Sequence, residues 1–221
     1  ESDLVVARAS GVELAPDLAD QVLKSALDVH VDVFERGAER EVARLDPAGT
    51  YLWGQRYGDW SEIAPPRQTP ASVNPTQALD WARFCSDALL ECFEAERAVL
   101  AAATPDIPIT TNFMCRFKPV DGWRWAARED VVTLDSYPDP AEPDAHMLAA
   151  LDYDLARSLG RGSWLLLEHA ASAVNWRQLN LPKRPGLMRL WALQAVARGS
   201  DGAMFFQWRA ARVGSEKFHS A

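Results

Sequence analysis

The sequence predicts an α/β protein built on a parallel sheet, and three observations carry that prediction. Short apolar runs alternate with amphipathic helical segments once the chain passes residue 104. Each run ends in a polar or acidic residue. The run SWLLLEHA is apolar almost throughout, as a strand covered on both faces is, and it places Glu168 directly behind three leucines.

Taken in order, residues 16–44 read mainly as helix, although VHVDVF alternates with a period of two. DPAGT turns the chain into YLWGQRYGDW, and the Pro-rich stretch 64–75 reads as a loop. Thr76 is the expected cap of a long helix ending near Ala103, with Trp81, Cys85, Ala88, Leu89, Cys92 and Phe93 at helical spacing. Four strands are expected at 107–114, 130–138, 163–170 and 202–208, with helical segments near 120–127, 145–159 and 186–198.

The strands end in Asn112, Asp135, Glu168 and Gln207. A polar residue at the C-terminal end of each of several parallel strands is how α/β barrels assemble an active site. A complete (β/α)8 barrel needs eight such units and about 250 residues. The sequence therefore predicts a partial (β/α)8 TIM barrel, about strands five to eight, preceded by a helical N-terminal segment. Two open strand edges would remain to be covered.

Composition narrows the function classes. The 221 residues are 48% hydrophobic and carry a formal net charge of -8, from 31 acidic and 23 basic residues without a basic block. A nucleic-acid or anionic-membrane partner is not expected, and a neutral or cationic small molecule is. No apolar stretch reaches the length of a membrane span, and ESDLVVARAS shows no basic region followed by an apolar core, so a reducing, cytoplasmic setting is expected. Cys85, Cys92 and Cys115 lack metal-ligand spacing and read as packing residues, so neither metal nor cofactor is expected. Nine tryptophans are unusual; several stand beside loops or strand ends, where aromatic faces stack on sugars or simply cover a core edge.

For Glu168 the residues alone leave two readings open. It is either a catalytic carboxylate or a structural charge paired with Arg177 or another arginine.

The blocks YLWGQRYGDWSEI, ITTNFM, DVVTLDSYPDP, LLLEHAASAVNWR, KRPGLMRLWALQAVARGSDGAMFFQWR and GSEKFHSA, in this order and spacing, resemble the catalytic barrel of glycoside hydrolase family 42 β-galactosidases from about Tyr51 to Ala221. The resemblance implies a retaining hydrolase of terminal β-galactosides. Residues 51–221 would be the C-terminal half of the barrel domain, and residues 1–50 a poorly matching, mainly helical segment. It makes Glu168 the nucleophile, although His169 replaces the usual Gln and Ala171 a Pro-like neighbour. It assigns Trp176, Phe206, Glu216 and His219 to the galactose pocket. Asn112, Asp135, Tyr137, Trp53 and Tyr57 become possible cleft residues.

The family's acid/base glutamate lies in an Asn-Glu-Tyr-Gly motif, and no Asn-Glu pair occurs in these 221 residues. The resemblance therefore places strands one to four, and the acid/base with them, outside this chain. The isolated chain is expected to be nearly or wholly inactive without that missing barrel half, and the family's homotrimer is expected only of a full-length chain. The alternative, from a different class, is an inactive half-barrel remnant or a sugar-binding or assembly module.

Overall fold

The computed structural model describes residues 51–56, 62–67, 72–217 and 219. The helix expected over 16–44, and Tyr57 and Trp60, lie outside them. The chain divides into two compact units, one comprising Glu1–Ile107 with Lys118–Asp121 and the other Pro108–Phe117 with Gly122–Ala221.

In the first unit, β1 (Tyr51–Leu52) and β2 (Gln55–Arg56) form an antiparallel pair. Trp53 and Gly54 connect them with φ of 51° and 75°, the two positive values that a tight hairpin turn needs. Helix α1 (Pro75–Ala103) follows. Its cap is Asn74, two residues before the expected Thr76. The Asn74 side-chain oxygen accepts from the backbone N–H groups of Thr76 (3.1 Å) and Gln77 (3.2 Å), and Pro75 enters the first turn with its φ already helical. The helix ends at Ala103 as expected, where Thr104 donates to the Leu100 carbonyl from both its backbone N–H (2.8 Å) and its hydroxyl (2.9 Å). Of the expected apolar stripe, Phe93 is buried, whereas Leu89 is exposed and Leu90 takes the inner position. Two polar side chains share that buried face: Asp80 accepts the Trp53 indole N–H at 2.8 Å, and the Ser86 hydroxyl accepts the Asp121 N–H at 2.9 Å.

The second unit is an all-parallel sheet in the order β3 (Asn112–Phe113), β4 (Val132–Ser136), β5 (Trp164–His169), β6 (Ser200–Ala203). Parallel neighbours need crossovers. Helices α2 (Gly122–Ala126), α3 (Ala145–Leu159) and α4 (Leu187–Ala197) provide them at the expected places. Val132, Leu134, Trp164 and Leu166 bury one face of the sheet against Ala149, Tyr153, Ala156 and Leu159 of α3 and Ala195 of α4. Trp164 stacks on Tyr153 with ring centroids 5.3 Å apart, and the alanines let the helices approach closely.

All four strands are shorter than expected: β4 and β5 lose residues at both ends of 130–138 and 163–170, and the first and last depart further. Only Asn112–Phe113 of 107–114 pairs as strand, because Pro108 has no N–H and the next residues bond by other means. Ile109 donates to the Asp130 carboxylate at 2.8 Å, and the Thr110 hydroxyl donates to the Val131 carbonyl at 2.6 Å. The last strand is Ser200–Ala203 rather than 202–208. Beyond it Phe206 makes a single bridge to Ala170, and the Ser200 hydroxyl satisfies the Leu166 N–H at 3.0 Å within the strand.

One register shift organises the functional end of the sheet. Leu134 pairs with Leu166, but the next pairs are Asp135 with Glu168 and Ser136 with His169. The extra residue, Leu167, lets Leu166 stay in the core while Glu168 stands opposite Asp135.

Two predictions follow from the packing of this unit. A Cβ on Gly160 would meet the Ser163 carbonyl oxygen at 2.3 Å, so Gly160→Ala is expected to lower the urea midpoint by about 1–3 kcal/mol of stability at unchanged m-value. Burial raises the Glu129 carboxyl to about 8, against hydrogen bonds from Thr110 and Thr133 that lower it. A raised carboxylate binds protons more tightly when folded, so its contribution is full below the ordinary value of 4.5 and is lost as pH rises through about 8. Thermal melts are expected to show Glu129→Gln gaining roughly 1–3 kcal/mol over the parent at pH above about 8, and little at pH near 4.

Candidate active site

The site is built at the C-terminal ends of β3, β4 and β5, all in the second unit. Glu168 is half-buried there and accepts two hydrogen bonds. The Tyr137 hydroxyl donates to Oε2 at 2.6 Å, and Asn112 Nδ2 donates to Oε1 at 3.2 Å. The same Asn112 amide donates to Asp135 Oδ2 at 2.6 Å. Three expected cleft residues thus converge on Glu168.

Electrostatics separates the members of this cluster. Burial, and then the adjacent Glu168 charge, push the Asp135 carboxyl up to about 7, opposed by the Asn112 hydrogen bond. Burial and the bond to Glu168 push the Tyr137 phenol far above its ordinary value, so it remains a proton donor throughout the working pH range.

Among the described residues the ion-pair reading of Glu168 finds no arginine partner. Arg177 instead pairs with Asp139, with Nε 3.2 Å from Oδ2, and its guanidinium donates to the Tyr137 carbonyl at 2.5 Å. Among the described residues Glu168 makes no ion pair. Arg177 acts one step away, on the backbone that carries Tyr137.

His169 points to the opposite face of the sheet. It is fully buried, with Nδ1 2.8 Å from the Ser136 carbonyl, so that nitrogen carries the proton, and its ring packs against Trp191 and Phe205. Burial lowers its proton affinity and keeps the imidazole neutral. The departure beside Glu168 therefore ties β5 to β4 from the core side.

Trp176, Phe206 and His219 are also brought together. Trp176 is 58% exposed, packs edge-on to Tyr137 with centroids 5.0 Å apart and lies tilted over His219 at 5.4 Å. Phe206 approaches His219 edge-on at 5.4 Å. His219 is buried; its Nε2 accepts the Asn175 N–H at 3.2 Å, while Nδ1 is buried without a hydrogen-bond partner. Glu216 is exposed, its carbonyl accepts the His219 N–H at 3.0 Å, and its charge acts on Tyr137. Gln207 is half-buried beyond β6. Trp53 belongs to the other unit, where it is tied to Asp80 and Asn74.

Residues not singled out from the sequence complete the loop that carries Trp176. The Asn180 side chain accepts the Val174 N–H and donates to the Val174 carbonyl, both at 2.9 Å, and Lys183 Nζ donates to the Ser172 carbonyl at 3.0 Å. An Asn ahead of a Leu-Pro pair signals only a turn. Among the described residues no group of His, Cys, Asp or Glu is arranged to hold a metal ion, and no helix is long and apolar enough to cross a membrane.

The glycoside hydrolase family 42 β-galactosidase model matches residues 40–221, starting somewhat before the Tyr51 expected from the sequence. A β-galactosidase of Geobacillus sp. is 53% identical over 176 residues, covering 78% of this chain and 26% of its own length. One from Arthrobacter sp. is 47% identical over 195 residues, covering 85% of this chain and 28% of its own. Among solved structures, the β-galactosidase of Bacillus circulans sp. alkalophilus superposes with a TM-score of 0.70 at 41% identity, over 77% of this chain and 26% of that one. The enzyme of the Antarctic haloarchaeon Halorubrum lacusprofundi gives 0.71 at 34% identity, over 81% and 29%. The chain thus spans about a quarter of the length of the relatives it matches. By sequence and by fold, it belongs to the glycoside hydrolase family 42 β-galactosidases.

Proposed function

We propose that this chain is the part of a retaining β-galactosidase that carries the nucleophile, and that β3–β6 are strands five to eight of its (β/α)8 barrel. The observation that carries the reading is Glu168, without a counter-ion among the described residues and held by the Tyr137 hydroxyl and the Asn112 amide at the ends of parallel strands. Two donors keep a carboxylate anionic and oriented without neutralising it.

In this mechanism a Glu168 oxygen attacks the anomeric carbon of a terminal β-galactoside as the bond to the leaving oxygen breaks, giving a covalent galactosyl-enzyme. Tyr137 and Asn112 hold the attacking carboxylate, and their bonds relax as its charge passes into the new ester. Trp176 offers its exposed face to the sugar ring, with Phe206 and His219 supporting it from below and Glu216 at the rim. A second carboxyl, about 5–5.5 Å from the first, protonates the leaving oxygen and later activates water. The resemblance assigns that role to a glutamate that these 221 residues do not contain. Turnover of ordinary galactosides is therefore proposed to need the remaining barrel half, and the isolated chain to be limited to leaving groups that depart unprotonated.

Incubation with 2,4-dinitrophenyl 2-deoxy-2-fluoro-β-galactoside, followed by peptide mass spectrometry, tests the assignment. One fluorogalactosyl adduct on Glu168 is expected, and none on Glu168→Gln. A folded chain that acquires no adduct, or an adduct elsewhere, contradicts it and favours a non-catalytic sugar-binding module. In the same assay Tyr137→Phe removes a charge-assisted hydrogen bond worth roughly 1.5–3 kcal/mol and is expected to slow labelling about 10- to 100-fold.

A further inference from the structure

Asp135 stands beside the proposed nucleophile without a role of its own. It is the register partner of Glu168 across β4 and β5, and the Asn112 amide reaches both carboxyls. Their donors are unequal. Glu168 has Tyr137 as well, whereas Asp135 Oδ1 is buried with no hydrogen-bond partner. Among the described residues neither carboxyl is in an ion pair. Asn112 Nδ2 lies 2.6 Å from an oxygen of Asp135 and 3.2 Å from one of Glu168, and two anions gathered round one amide nitrogen in a partly desolvated site repel strongly enough that one retains a proton. The anion settles where the donors are.

We propose that Asp135 is a positioning residue that keeps its proton on the acid side of neutrality, so that Glu168 alone carries the negative charge there and the Asn112 amide stays shared between them. The inference rests on the reading of Glu168 as nucleophile. In its neutral form Asp135 accepts from Asn112 through one oxygen and keeps that amide turned towards Glu168 Oε1. In its ionised form it competes with Glu168 for the same amide and sets a second negative charge beside it. The groups on the neighbouring elements fit this assignment. β3 supplies no titratable group at this position, Tyr137 is a permanent donor committed to Glu168, and His169 is neutral on the opposite face. Among the described residues Glu168 is the charge that acts on Asp135, and it acts in the same direction as burial.

Carboxyl 13C NMR of the 221-residue chain, titrated between about pH 4 and 9, tests the inference without requiring catalysis. Two high midpoints are expected, Asp135 near 7 and Glu129 near 8, the latter assigned by its loss in Glu129→Gln; only the midpoint near 7 is expected to vanish in Asp135→Asn while the rest of the spectrum is retained. A titration of Asp135 in the ordinary carboxylate range, or survival in Asp135→Asn of a near-neutral resonance other than that of Glu129, overturns the proposal. Labelling by the fluorogalactoside separates this role from simple packing. Asp135→Asn, permanently neutral and still able to accept from Asn112, is expected to stay within about threefold of the parent near pH 6, and Asp135→Leu to fall at least about tenfold. A tenfold loss in Asp135→Asn would mean that the charge is required, and the proposal fails. Absence of labelling in the parent chain counts against the nucleophile reading, while the titration still decides the state of Asp135.

Discussion

The single-residue shift between β4 and β5 is the constraint on which the site depends. Without it, Asp135 would stand opposite Leu167, and Glu168 would fall on the wrong side of the pleat relative to Tyr137 and Asn112. With it, Leu166 remains in the core and the next two pairs face opposite ways: Asp135 with Glu168 towards the candidate site, and Ser136 with His169 towards the helices. The bond from His169 Nδ1 to the Ser136 carbonyl closes the shifted register from the core side, where Trp191 and Phe205 fix the ring. Arg177 then holds the Tyr137 carbonyl and pairs with Asp139, so the phenol is set from both ends.

This arrangement runs against stability at the place where it serves function. Two carboxyls side by side, one with a buried and unpartnered oxygen, are a local expense that a wholly apolar strand end would avoid. The opposite face of the same strands offsets it. Trp164 and Leu166 are fully buried against Tyr153 and the alanines of α3 and α4, and each large apolar side chain contributes roughly 1.5–3 kcal/mol. The sheet is therefore stabilised on one face and polarised on the other, which matches strands that are apolar until their last residues.

That division explains what the sequence made legible. Apolar runs ending in Asp135 and Glu168 identified β4 and β5 and their functional ends, and α3 was readable residue for residue, because period and burial agree there. The expected strand over 107–114 shrinks to two residues because Pro108 has no N–H and Ile109 donates to the Asp130 carboxylate, neither of which shows in a run of apolar residues. The cap at Asn74 was missed by two residues for a related reason: an Asn before a Pro looks like loop until its side chain is seen accepting two helical N–H groups. The register shift itself leaves no mark in the sequence, since three consecutive leucines give no hint of which one is extra. Arg177 was legible as a charge near Glu168 but not as the partner of Asp139, because both partners lie in loops whose path the pattern does not determine.

Family membership and site geometry support the proposal that the chain supplies half of a two-carboxylate mechanism. Glu168 is the proposed nucleophile of that half, and its identity as the group below the sugar ring is the central claim. Chemical rescue tests it most directly. With Glu168→Ala, 2,4-dinitrophenyl β-galactoside and azide, the anion should enter the space left by the carboxylate and give α-galactosyl azide, identifiable by its anomeric proton coupling. Formation of the β-anomer, or release of dinitrophenol that azide does not accelerate, would contradict the assignment of Glu168 as the nucleophile.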